Sequence, residues 1–262
     1  VRAQPHRRRH VEEPADADEG MAFPGVQKTT WTRSETAGAF YYHRFYEHQP
    51  DLNIANPEVR AEILKIMGFW VQLGVSGFRI DAAPFLIELI GKDGSRQDEA
   101  MYRFLREMHD FLAWRTGDAI LLAEANIPPD KVDEYFGDGD RMHMLFNFLV
   151  NQPLFLALAR QEAEPLVAAL KSLPRIPERG QWAQFLRGHD ELDLGRLTRA
   201  QREEVFKAFG PDPSMQLYDR GIRRRLAPML GNDVARIEMA HSLIFSLPGT
   251  QVIRYGDEIG MG

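Results

Sequence analysis

Amphipathic helices alternate with short apolar strands from Asn56 onward, no strand is followed by a phosphate-cradling glycine loop, and polar residues collect at the C-terminal ends of several strands. The alternation predicts parallel β/α units. The lack of G-x-G-x-x-G and G-x-x-x-x-G-K-[ST] argues against a nucleotide-binding doubly wound sheet. Polar strand ends are how a (β/α)8, or TIM, barrel builds its site. The predicted fold class is therefore α/β, an incomplete (β/α)8 barrel of which about five strands, the fourth to the eighth, are visible in the 262 residues.

Composition sets the outer limits. The chain is 44% hydrophobic and 10% aromatic with a mean hydropathy of -0.37, enough apolar material for a substantial core. A net charge of -6 offers no bulk attraction to nucleic acid or to an acidic membrane, so a small neutral ligand is the better partner. With no cysteine, disulfides, thiolate metal sites and cysteine nucleophiles are excluded. No apolar run approaches the roughly 18 residues of a membrane span, and the arginine-rich first residues do not read as a secretory signal, so the expected compartment is the cytoplasm. A homo-oligomer is left open.

Residues 1–20 form a polar leader expected to be disordered, its Arg7-Arg8-Arg9-His10 run a solvated segment. Residues 23–53 are loop-like and aromatic: Trp31, Phe40, Tyr41, Tyr42, Phe45 and Tyr46 either stack on sugar rings or pin the loop down. Asn56-Pro57-Glu58 is a helix start, followed by Val59, Ile63, Ile66, Met67 and Trp70 at helical spacing and stopped by Gly74. After the strand at Gly77–Ala82 comes a helix over about 99–114, then the strand 119–123. A short helix capped by Asp130, a strand around 142–148 and a helix over about 153–173 follow. The strand 182–187 precedes a capping-box helix at Thr198 and Gln201, and a last helix capped by Asn232 leads to the strand-like segment 251–255.

The chemistry gathers at Gly77-Phe78-Arg79-Ile80-Asp81-Ala82-Ala83-Pro84. In a strand, the period of two turns Phe78 and Ile80 to one face and Arg79 and Asp81 to the other. The arginine favours an ionised carboxylate, as a nucleophile requires; a plain strand-end ion pair is the competing reading. Glu124 and Asp190 stand at two further strand ends, the latter next to His189. Retaining glycosidic chemistry needs two carboxyl groups about 5–5.5 Å apart, one ionised and one protonated, and adjacent barrel strands supply that spacing. Glu124 follows an apolar run, where desolvation would raise its pKa.

These segments resemble the α-amylase family of glycoside hydrolases and transglycosidases, over about residues 21–262. Gly77–Ala82 is similar to the family's G-F-R-x-D-A motif, Leu122-Ala123-Glu124 to its acid/base segment, Phe185–Asp190 to its His-Asp segment, and Gly249–Glu258 to its eighth-strand segment. Gln49-Pro50-Asp51-Leu52-Asn53 is similar to the element marking the branch that acts on short α-glucosides. The resemblance implies Asp81 as nucleophile with Arg79 as partner, Glu124 as general acid/base, and His189 and Asp190 as groups that bind and orient sugar hydroxyls. Gly221–Pro228, Leu121–Asn126 and Arg254–Gly262 are similar to branch members that interconvert maltose and trehalose by intramolecular glucosyl transfer, with hydrolysis to glucose as the alternative. It also implies a structural Ca2+ held by Asp51 and Glu88 with carbonyls of Phe85 and Leu86, and residues 21–53 as the tail of an inserted subdomain ahead of a barrel portion over 54–262. Two features depart from the family pattern: Gly188 stands where asparagine is usual, and no D-x-x-x-N-H occurs. The missing motif belongs to the family's third strand, so the resemblance places the first three strands ahead of Val1 and leaves a catalytically incompetent fragment as a further reading.

Overall fold

The computed structural model describes residues 21–23, 25–87 and 98–262. The leader, Glu88 and the Gly91–Gln97 segment lie outside them. The chain divides into two compact units, Val1–Glu62 and Ile63–Gly262.

In the first unit, β1 (Trp31–Ser34) and β2 (Ala39–Tyr42) form an antiparallel hairpin in which Trp31 pairs with Tyr42 and Ser34 with Ala39. Its rings pack on one another: Trp31 meets Tyr42 edge-on at 5.3 Å, and Phe23 stacks on Tyr46 at 4.7 Å. Buried His43 is held by Thr32 Oγ1 at 2.9 Å and the Phe45 carbonyl at 3.1 Å. These contacts pack the rings of the segment on one another. Helix α1 (Pro57–Gln72), most of which belongs to the second unit, starts where Asn56 Oδ1 accepts the Glu58 N–H at 2.9 Å, and it ends at Gly74, whose φ of +92° is the left-handed stop.

The second unit continues with β3 (Gly77–Ile80), α2 (Ala83–Ile87), α3 (Asp98–Ala113), β4 (Ile120–Ala123), α4 (Val132–Phe136), β5 (Met144–Phe146), α5 (Phe148–Arg160), α6 (Glu164–Ser172), β6 (Gln181–Phe185), β7 (Leu192–Asp193), α7 (Arg199–Phe209), β8 (Gln216–Leu217), β9 (Gly221–Ile222), α8 (Leu226–Met229), α9 (Val234–Phe245) and β10 (Thr250–Val252). Strands β3, β4, β5, β6 and β10 make one sheet in that spatial order, every pair parallel. This is the predicted β/α arc, its strands neighbouring in chain order. Alternation sorts its faces: Leu121, Ala123, Leu145 and Trp182 are buried, while Ile120 and Glu124 belong to the opposite face. Helices α5, α7, α8 and α9 share a core in which Phe155 meets Phe209 edge-on at 5.8 Å, with Leu154, Val205, Ile222 and Ile244 around them. The short strands β7, β9 and β8 form a separate antiparallel sheet.

Three expectations need correction. The single helix over 153–173 is two: α5 starts early because Asn147 Oδ1 caps the Val150 N–H, and the chain breaks at Gln161 (φ +58°) before α6 restarts with Pro165 in its first turn, where a missing N–H costs no helical hydrogen bond. Asp130 caps nothing; it lies within a 3-10 turn, and α4 opens without a side-chain cap. Asn232 takes a left-handed conformation (φ +55°), and Asp233 caps α9 by accepting from Ala235 and Arg236. On α1 only Met67 is buried, while Ile66 and Trp70 are each 46% exposed, because β3 is a terminal strand and the layer beside α1 is not continued among the described residues.

Candidate active site

The site begins with a close approach of two strands. At Gly77 an added Cβ would lie 2.5 Å from the Ile120 carbonyl oxygen, so only glycine lets β3 lie this close to β4 at its start. Arg79 then pairs with Leu122 and Ile80 with Ala123. One residue further, the register sets Asp81 beside Glu124 on the face that Arg79 shares. The backbone fixes that position: Glu124 N–H donates to the Ile80 carbonyl at 3.0 Å, and Ala83 N–H to the Glu124 carbonyl at 3.0 Å. Ala82 adopts φ +44°, a strained non-glycine conformation that turns the chain from β3 into α2 immediately after Asp81.

Arg79 bridges the two acids. Its Nη1 lies 2.7 Å from Asp81 Oδ1 and its Nη2 2.5 Å from Glu124 Oε2. The sequence reading paired Arg79 with Asp81 alone; the second contact is an addition. Glu124 is the more enclosed acid, its side chain 25% exposed against 69% for Asp81. Burial pushes the Glu124 carboxyl above the ordinary glutamate range. Arg79 opposes that rise, and Asp81 adds to it as hydrogen-bond partner and as a second negative charge.

His189 and Asp190 form a second group, with His189 Nε2 3.1 Å from Asp190 Oδ2 and both side chains exposed. No hydrogen bond or ion pair joins them to Asp81 or Glu124 among the described residues. What holds this group is Arg187, which is 4% exposed: Nη2 donates to the Asp190 carbonyl at 2.8 Å and Nε to the Arg224 carbonyl at 2.9 Å. Burial, with Arg254 nearby, pulls the Arg187 pKa down to about 10. The run Arg223-Arg224-Arg225 lies between β9 and α8. Arg224 donates to the carbonyls of Phe209 and Pro228, each at 2.7 Å, and Arg225 donates to the Tyr255 carbonyl at 2.5 Å and lies 3.2 Å from buried Asp257. Sequence reasoning also missed Asn126, whose Nδ2 donates to Asp193 Oδ2 at 2.5 Å and so ties the segment after Glu124 to β7. Its position two residues beyond Glu124 was the available signal.

The residues that the resemblance implies for calcium fall in different parts of the chain. Asp51 belongs to the first unit, where it accepts the Arg44 N–H at 3.1 Å; Phe85 and Leu86 lie in α2 of the second, and Glu88 is outside the described residues. Among the described residues no group of three or more His, Cys, Asp or Glu could hold a metal ion. Nor is any described helix long and apolar enough to cross a membrane.

A parallel β/α arc with acids at neighbouring strand ends defines the class, and the comparisons agree with it. The α-amylase catalytic domain matches residues 11–208, and the chain belongs to that family. It is 45% identical over 243 residues to the trehalose synthase of Thermus thermophilus, covering 92% of this chain and 25% of that protein. To the trehalose synthase of Pimelobacter sp. (strain R48) it is 41% identical over 254 residues, covering 94% of this chain and 44% of that one. The chain thus spans about a quarter to under half of the length of these curated relatives. Among solved structures, the α-amylase from H. orenii aligns at a TM-score of 0.61 with 22% identity, over 89% of this chain and 40% of that one, a likeness of fold.

Proposed function

We propose that this chain carries the reacting groups of a retaining glucosyl isomerase that interconverts maltose and trehalose. The observation that carries the reading is the Arg79 bridge, which holds Asp81 and a partly desolvated Glu124 at the ends of adjacent parallel strands. The trehalose synthases at 41–45% identity support the substrate pair. In this reading Asp81 attacks the anomeric carbon of the non-reducing glucose of maltose, and the bond to the leaving oxygen breaks as Glu124 gives that oxygen its proton. A glucosyl ester on Asp81 and free glucose result. The freed glucose then turns, Glu124 takes the proton from its anomeric hydroxyl, and that oxygen displaces Asp81 to form the 1,1 linkage. His189 and Asp190 bind the hydroxyls of the reacting ring, whose positive charge grows in the transition state. Residues 21–53 are assigned, on the same reading, to the end of an inserted subdomain.

A second reading keeps the same residues and makes water the acceptor, giving an α-glucosidase. The 69% exposure of Asp81 favours it, as does the relative named trehalose synthase/amylase TreS from Mycobacterium tuberculosis (strain ATCC 25618 / H37Rv), 41% identical over 249 residues. Following maltose by NMR separates them. Trehalose appearing ahead of glucose supports the isomerase, glucose without trehalose replaces it with the hydrolase, and unchanged maltose rejects both in favour of an inert chain.

A further inference from the structure

The loop that carries Asp190 has little packing of its own. Gly188 has no side chain, and a Cβ there would meet nothing within 4 Å; His189 and Asp190 are 65% and 62% exposed. Arg187 is the opposite, with its side chain in the interior. Counting by twos from Ala183 and Phe185, it continues the same face of β6. Its guanidinium reaches forward three residues to the Asp190 carbonyl and sideways to the Arg224 carbonyl. Arg224 is itself anchored to the carbonyls at the end of α7 and in α8, so a rigid path runs from the helical core through two arginines to the main chain of Asp190.

We infer that Arg187 is a positioning residue that fixes the main chain of Asp190, and through it the angle at which that carboxylate meets the sugar. The inference rests on the reading above in which Asp190 acts on the reacting ring. The residue type follows from the geometry. A planar fork with several N–H donors serves two carbonyls in two directions, which a single ammonium on a flexible stem cannot do with both held in line. The burial of a cation beside Arg254 is compensated by those carbonyls and by the charges of Asp257, Glu191 and Asp190.

The test uses the intact protein with maltose, comparing Arg187→Ala, Arg187→Lys and Asp190→Asn. A misplacement on the order of 1 Å costs roughly 100-fold in rate. Arg187→Ala is expected to lower kcat by about that factor with KM within roughly 3-fold, and added guanidinium ion should restore kcat at least several-fold. Arg187→Lys should fall between. In the double variant with Asp190→Asn, removing Arg187 should cost little more, because both changes act through one group. Amide hydrogen exchange over 188–191 should quicken about 10-fold in Arg187→Ala, a readout that does not depend on turnover. Wild-type kcat in Arg187→Lys or in folded Arg187→Ala, or unchanged exchange over 188–191, overturns the inference. Wild-type turnover in Asp190→Asn overturns instead the role of Asp190 on which it rests.

Discussion

At the ends of β3 and β4 the charged side chains hold one another: Arg79 spans Asp81 and Glu124, and, besides burial, Arg79 and Asp81 both shift the Glu124 carboxyl. At the end of β6 the arrangement is different. His189 and Asp190 pair with each other, and the main chain of Asp190 is held by the Arg187 guanidinium, which also bonds the Arg224 carbonyl, while Arg224 and Arg225 bond the carbonyls of Phe209, Pro228 and Tyr255. Contacts of charge with charge respond to pH and to any change of partner. Bonds from an arginine to main-chain carbonyls do not, because neither end titrates in the working range. One half of the site is thus tunable and the other is a fixed frame.

The largest effect that would break this division is expected at Asp81. Replacing it with asparagine removes the carboxylate that the proposed mechanism uses to attack, and should lower maltose turnover by roughly 10⁴-fold or more, the scale on which a catalytic unit fails when one member is lost. The exposed side chain carries little packing, so the melting temperature should stay close to wild type. Substantial turnover in a correctly folded Asp81→Asn would reduce the Arg79 bridge to a structural ion pair.

The next largest concerns pH. In the proposed role of general acid Glu124 must be protonated, and burial holds its folded-state pKa above that of the unfolded chain. The alkaline limb of kcat/KM should therefore lie above the ordinary glutamate range. Arg79 pulls that pKa down, so Arg79→Met should lower kcat and carry the limb to still higher pH. Arg187 variants should leave it in place, which is the sharpest contrast between the two halves. Stability follows the same sign: the folded protein binds this proton more tightly than the unfolded chain, so stability falls as pH rises from the unfolded pKa through the folded one. Glu124→Gln should melt higher than wild type above that window and match it below. A limb that stays put in Arg79→Met would show that the bridge does not tune Glu124.

The two halves were also unequally legible. The placement of Arg79, Asp81 and Glu124 on one face at the ends of adjacent strands could be read because period-two alternation and parallel register are local rules. The five sheet strands followed from the same rules. The frame could not be read. Nothing in Arg187 or in the Arg223–Arg225 run distinguishes a cation that binds distant carbonyls from one left in solvent, since Arg225 reaches Tyr255 and Arg224 reaches Phe209 only once the chain is folded. Cap placement failed for a smaller reason. Asn232 and Asp233 are both capping residues, and the left-handed turn begun at Gly231 consumes the first.

A third, smaller effect tests what lies under the frame. Buried Asn151 donates from Nδ2 to the carbonyls of Phe185 and Leu186, at 2.8 and 3.0 Å. Asn151→Leu leaves both unpaired, a loss of about 1–3 kcal/mol for each that stays unsatisfied. Urea unfolding should record the lower stability, and a stability equal to wild type would place the support of β6 elsewhere.

The smallest effect is expected at Thr198, far along the chain from both groups of acids. Thr198 and Gln201 form a reciprocal capping box: Thr198 Oγ1 accepts the Gln201 N–H at 3.3 Å, and Gln201 Oε1 accepts the Thr198 N–H at 3.0 Å. Thr198→Ala removes one of these bonds at the start of α7, which is worth about 1 kcal/mol. Helix α7 supplies Phe209, whose ring meets Phe155 of α5 and whose carbonyl accepts from Arg224. The loosening is therefore on the path that ends at Arg187 and Asp190, yet at the far end of the helix from Phe209. If the frame is rigid, the variant should lose about 1 kcal/mol in denaturant titration while kcat and the exchange rate of residues 188–191 stay at wild type. Faster exchange at Asp190 with the helix otherwise intact would mean that the frame transmits strain along its length, and the division between a tunable half and a fixed one would have to be redrawn.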